Sequence, residues 1–232
     1  MLIMLVVVAV VSGALIAGAV WGLYGKLPKR LEGFLIALAG GALILSVVTE
    51  LIEPSIRTSS LVLAMISTAV GAIVFTGADY LIDEKWKSDS GGGLLAAITL
   101  DGVPENLALG VALIGAGPAQ VAALAGSILL SNLPEAAGGA KEMEENGTSK
   151  TKALMLWVGA AALLSLAAIL GNLLLERASP HLLAGIRCLA AGAVIASLAT
   201  EVFPKAYKEG AHMAGIATAL GFILALVLSE TG

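Results

Sequence analysis

Gly41-Ala42-Leu43-Ile44-Leu45-Ser46-Val47-Val48-Thr49-Glu50 returns later in the chain as Gly192-Ala193-Val194-Ile195-Ala196-Ser197-Leu198-Ala199-Thr200-Glu201. Both stretches are apolar, and both carry Ser-x-x-Thr-Glu in the same register, 151 residues apart. The same spacing lays the apolar segments flanking the first stretch onto those flanking the second. The surroundings decide what kind of repeat this is. Of 232 residues, 58% are hydrophobic and only 13% charged, and the mean hydropathy is +0.97. An ordinary soluble domain carries about 25% charge. A soluble enzyme, a disordered chain and a nucleic-acid binder are thereby excluded in favour of an all-α polytopic membrane protein. The net charge of −4 is too small to imply a polyanionic partner. The single cysteine, Cys188, leaves no internal disulfide and no multi-cysteine metal site.

A helix needs about 20 apolar residues to cross the hydrocarbon. Eight such spans read from the sequence: about 2–24, 32–52, 60–82, 93–115, 119–140, 153–175, 182–203 and 211–230. Glu53-Pro54 ends the second, Gly115-Ala116-Gly117-Pro118 divides the fourth from the fifth, and Ser179-Pro180 opens the seventh. The first span has no basic leader and is long for a signal peptide, so it is expected to stay as a helix. With the N-terminus outside, ten of the 13 Lys and Arg fall on the inside; Arg57, Arg177 and Arg187 fall outside. An even number of spans then puts both termini outside. Helix two runs outward and helix seven inward, so helices one to three and six to eight form an inverted repeat around helices four and five, in one transmembrane domain over 1–232. Inverted repeats of this kind build secondary transporters, with the site near the midplane.

Helices four and five carry a second matched pair, Asp101-Gly102-Val103-Pro104-Glu105 and Ser131-Asn132-Leu133-Pro134-Glu135. A proline within a helix removes one hydrogen bond and clashes with the carbonyl four residues back, here those of Leu100 and Leu130. Inside a membrane such groups must be satisfied by protein, water or an ion. Four residues are about one turn, so Asp101 and Glu105 share a helix face, as do Ser131 and Glu135, with Asn132 nearby. Asp101, Glu105, Ser131, Asn132 and Glu135 therefore form a candidate set of oxygen ligands. Buried carboxylates are costly and repel one another; a divalent cation removes both penalties. The plain structural alternative is that the two glutamates are protonated and hold two kinked helices together. Glu50 and Glu201 are weaker candidates, either snorkelling to the interface or guarding the two mouths of a pathway. His181 and His212 read as loop or cap residues, and Cys188 as packing.

These motifs resemble those of the ZIP family of divalent-metal transporters, and the resemblance covers nearly the whole chain. It is nearest to the short prokaryotic branch with Asp-Gly-x-Pro-Glu in helix four and Ser-Asn-x-Pro-Glu in helix five. The better-known family pattern has His-Asn-x-Pro-Glu in helix four, so by position its histidine is Asp101 here and its asparagine Gly102. In helix five the first ligand position is Ser131. Helix six lacks the glutamate many relatives carry, so one oxygen-rich site is implied rather than two metals. The resemblance further implies no enzyme activity and no resident cofactor, with Zn, Mn or Fe as transported substrate. It also implies an elevator-type mechanism and homodimers in an inner membrane. The alternative is a ZIP-like protein with altered or lost transport, a metal sensor or a carrier of another cation. An intramembrane hydrolase using Asp101 and Glu105 lacks a second catalytic motif.

The Lys and Arg asymmetry makes a topological prediction. A compartment-sensitive reporter fused at Gly147 should read cytoplasm and one at Gly232 the outside. The reverse pattern would overturn both the orientation and the inverted relation of the repeats.

Overall fold

The computed structural model describes the backbone of residues 2–86, 91–114 and 118–231. Those residues form eight helical rods with no strand among them: α1 Leu2–Tyr24, α2 Lys29–Thr58, α3 Leu61–Trp86, α4 Gly91–Ala112, α5 Pro118–Glu145, α6 Lys150–Leu175, α7 Pro180–Gly210 and α8 Met213–Thr231. Among the described residues five helices, α1, α2, α3, α6 and α7, are long and apolar enough to cross a membrane. The chain has the build of a membrane protein. The rods follow the spans read from the sequence to within a few residues, except where proline reads as a stop.

Those exceptions have a common cause. Glu53-Pro54 does not end α2, and α7 runs through Pro204. In each rod the proline follows a widened, π-helical turn, Val47–Ile52 in α2 and Leu198–Val202 in α7. The N–H of Glu53 reaches back to the carbonyl of Val48, and that of Phe203 to Leu198, five residues rather than four. A proline ring clashes with the carbonyl four residues behind it, and a five-residue turn opens room for the ring. Thr49 Oγ1 donates to the carbonyl of Leu45 at 3.2 Å, and Thr200 Oγ1 to that of Ala196 at 3.1 Å, so each widened turn holds a threonine bonded to the carbonyl four residues back. Because α7 continues, Lys205 and Lys208 lie in a helix rather than in a loop. Arg187, assigned to the outer side, lies within α7 and donates to the Val111 carbonyl at the end of α4, 3.0 Å away.

The helix starts follow from local chemistry. Ser149 and Ser179 cap α6 and α7 by accepting from the N–H groups of Lys152 and Leu182. Pro180 fills the first turn of α7. Gly147 turns the chain between α5 and α6 with a φ of +88°, which a side chain would strain.

The most extensive packing is between α1 and α5, α3 and α7, α2 and α8, and α4 and α6; α2 meets both α5 and α7. Glycine sets these approaches. A Cβ at Gly41 would overlap the backbone of Thr218, and one at Gly221 the backbone of Leu38, which locks α2 to α8. In the same way Gly192 lies on Thr68 and Gly71 on Leu189, locking α3 to α7. Small residues are what lets helices approach so closely in a membrane. Burial separates the centre from the rim: 61% of the apolar window is buried in α2 and in α7, but only 17% in α3. Leu61, Val62, Met65, Ile66 and Ile73 of α3 turn outward, as do Ile216, Ile223 and Val227 of α8, the faces expected to meet lipid.

Replacing Gly41 or Gly192 by leucine should therefore separate a central rod from its partner. Overpacking typically costs about 1–3 kcal/mol. A lowered melting temperature in detergent should follow for both variants. Wild-type melting would show that the close approach is dispensable.

Candidate metal site

Between α2, α4, α5, α6 and α7 lies a cavity of about 120 Å³. Glu105 of α4, Ser131 and Glu135 of α5, and Ser197, Glu201 and Lys205 of α7 line it, with Leu43, Ile98 and Trp157 on its apolar walls. It sits where three apolar clusters meet, since Leu43, Ile36 and the pair Ile98 and Trp157 each belong to a different one. The motif glutamates of α4 and α5 thus face one space. Three carboxylates and one ammonium among the described lining residues give that space a negative balance, which favours cations.

The residues expected as ligands divide into groups. Glu105, Ser131, Glu135 and Glu201 are brought together on the cavity. Ser131 is buried and donates to the Ile128 carbonyl at 3.0 Å, three residues back in its own helix. Asn132 is buried and turns its amide toward α1, where Nδ2 donates to the Val11 carbonyl at 3.2 Å; it is not on the cavity lining. The side chain of Asp101 lies outside the described residues. Glu50 is not on the cavity lining; its Oε1 shares the one Thr49 hydroxyl hydrogen with the Leu45 carbonyl, both oxygens lying 3.2 Å from Oγ1. Among the described residues no three of His, Cys, Asp and Glu converge closely enough to hold a metal ion. In this conformation the carboxylates line a chamber; they do not form a closed coordination shell.

Some residues at the site do not stand out in the sequence. Lys205 reaches the cavity and pairs with the buried Glu32 of α2 at 3.7 Å. Trp157 of α6 is 1% exposed, and its indole N–H meets no acceptor among the described residues. Its ring fits because Gly139 has no side chain: a Cβ there would stand 2.7 Å from Cζ2 of the indole. Ser46 of α2 and Ser127 of α5 share a buried hydrogen bond of 2.8 Å. The sequence does hold a signal for Lys205, since it follows Glu201 by four residues, one helical turn. Pro204, which reads as the end of the helix, obscures it.

The end of α4 is held by side chains from two other rods. Asn172 of α6 donates to the Gly110 carbonyl at 3.0 Å, one residue before the Val111 carbonyl that Arg187 of α7 holds. The last carbonyls of a helix lack a partner within it; Val111 also accepts from the Ile114 N–H just past the end of α4, at 3.1 Å. The segment carrying Pro104 and Glu105 is therefore anchored at its far end by α6 and α7 together.

No protein-family model and no curated protein matches this sequence.

The arrangement allows cation capture by half-buried carboxylates in a partly open cavity. Glu105→Gln and Glu135→Gln each remove one charge with little change of shape. Metal bound to the purified protein should fall at least about tenfold in each and further in the double variant, on the scale known for altered metal sites. Elemental analysis of dialysed samples measures it. Unchanged occupancy in the double variant would remove the cavity from consideration as a metal site.

Proposed function

We infer that this chain is a membrane transporter of divalent metal cations, moving them toward the cytoplasm on a ZIP-like plan. One observation carries the reading: the glutamates of the two matched Pro-Glu motifs, Glu105 and Glu135, line the same cavity. A cavity lined by half-buried acids in a helical membrane protein is expected to mark an ion path. Ser131 and Glu201 add oxygen donors to it, and Asp101, one turn before Glu105, is the further donor expected there.

The inverted repeat of α1–α3 and α6–α8 is part of the same proposal. It is supported by features that recur at matching positions: the widened turns after Ser46 and Ser197, the threonine bonds within them, and the glycine contacts. Gly41 and Gly192 occupy matching places, and so do the two backbone sites they meet, Thr218 and Thr68. The packing pairs exchange in the same way, α1 with α5 against α6 with α4, and α3 with α7 against α8 with α2. Both termini outside, an inner-membrane location, dimers and elevator motion belong to this reading as implications of the resemblance.

A second reading keeps the fold and changes the task, to a metal sensor or a carrier of another cation. It is favoured by Asp101 and Ser131 standing where the better-known family pattern has histidines, and by Lys205 in the cavity. Oxygen ligands suit Mg²⁺, Mn²⁺ and Ca²⁺, whereas imidazole favours Zn²⁺.

Metal-resolved flux into proteoliposomes separates the two. A transporter should move Mn²⁺ or Fe²⁺ as well as Zn²⁺, and Asp101→His should raise the preference for Zn²⁺ over Mn²⁺. Binding without flux would favour the sensor. An unchanged metal ratio in Asp101→His would remove Asp101 from the ligand set.

A further inference from the structure

Lys205 is out of place in a chamber meant for cations. Lys205 lines the cavity with Glu105, Glu135 and Glu201, and its ammonium stands 3.7 Å from Oε1 of Glu32. That is an ion pair, yet longer than a charge-assisted hydrogen bond, which runs about 2.7–2.9 Å. The Glu32 side chain is only 9% exposed and that of Lys205 35%. The pair lies against α5 at Gly138, three residues past Glu135. A Cβ at Gly138 would overlap the Glu32 carboxylate and stand 3.2 Å from the ammonium. Glycine at 138 therefore makes the space in which the pair sits beside the acidic chamber.

The neighbouring contacts hold α2 against α7 without help from the inner pair. A Cβ at Gly33 would overlap the backbone of Gly210, so the ends of α2 and α7 touch through two glycines. Lys29 of α2 and Glu209 of α7 form a second pair at 3.8 Å, with its lysine largely exposed. The α2–α7 junction thus has backbone contact and an outer pair besides the inner one. As a means of stability a buried ion pair is a poor choice, because desolvation offsets much of its attraction. As a movable charge it is well suited, since a lysine ammonium rides on a flexible four-carbon stem.

We propose that Lys205 is a tethered competitor of the transported cation, its charge shared between Glu32, with which it pairs, and the carboxylates of the cavity that it lines. The proposal rests on the metal-transport reading and adds its control of affinity. With no like charge nearby, the same carboxylates would attract a divalent ion more strongly. A lysine lining the same cavity lowers that affinity by like-charge repulsion of the incoming ion. Glu32 sets the balance by holding the lysine away.

Two substitutions have opposite signs under this mechanism. Lys205→Met removes the competitor, and Mn²⁺ and Zn²⁺ should bind about tenfold more tightly, the size expected for one like charge at partly screened distance. Glu32→Gln frees the lysine for the chamber, and the same ions should bind more weakly. Lys205→Arg keeps the charge and should stay near the wild type. Isothermal titration of MnCl₂ and ZnCl₂ into the full chain in detergent reads all four proteins, with melting curves run alongside. Lys205→Gln takes the place of Lys205→Met if the latter does not fold. If the pair served only to hold α2 to α7, both substitutions would lower the melting temperature and move affinity in the same direction. That result, or no shift in a wild type that binds metal, overturns the proposal and leaves the transport reading standing. Absence of divalent binding in every variant overturns both. Binding that first becomes measurable in Lys205→Met supports the competitor.

Discussion

A backbone carbonyl inside hydrocarbon has no water to turn to, and four prolines in this chain each remove an N–H that would have met one. Pro54, Pro104, Pro134 and Pro204 leave the carbonyls of Glu50, Leu100, Leu130 and Thr200 without their usual helical partner. In every case a carboxylate lies within four residues: Glu50 and Glu53, Glu105, Glu135, and Glu201. Two of the four helices widen before the proline, and the other two continue through it. Glu105, Glu135 and Glu201, from three of these helices, line the same cavity. The places where helical bonding is weakest are also where the acids converge.

The close packing around that cavity depends on what is missing from the side chains. Gly41, Gly71, Gly192 and Gly221 bring backbones together without a Cβ between them. Gly138 and Gly139 do something different on α5: one leaves room for Glu32 and the other for the Trp157 ring. Along one helix, adjacent glycines thus accept an ion pair on one side and an indole on the other. The chamber's charged wall and its apolar wall both depend on these two positions.

The eight rods are legible in the sequence because apolar length is a strong signal and the polar breaks between them are clear. The cavity glutamates are legible because a carboxylate beside a proline, deep in an apolar helix, is costly unless it meets a partner. The polar partners are much less so. Asn132 carries a ligand-capable side chain, yet its amide serves the Val11 carbonyl on another helix, a long-range contact that no local pattern announces. Arg187 has the look of a boundary charge and instead caps the end of α4. Glu32 and Lys205 lie near rod ends, where charges are ordinarily solvated; only the meeting of α2 and α7 brings them together. Proline is a weaker helix stop here than its chemistry suggests, because a widened turn accommodates it.

The two widened turns differ in length: Val47–Ile52 has six residues and Leu198–Val202 five. Before them, Gly41 and Gly192 are 151 positions apart; after them, Pro54 and Pro204 are 150 apart, as are Gly71 and Gly221. In a regular α-helix, loss of one residue would rotate the residues after it by about 100°. A turn that already departs from the regular repeat can take up such a difference locally, so the closing segments Glu53–Thr58 and Phe203–Gly210 can sit one residue apart in spacing without a break in either rod.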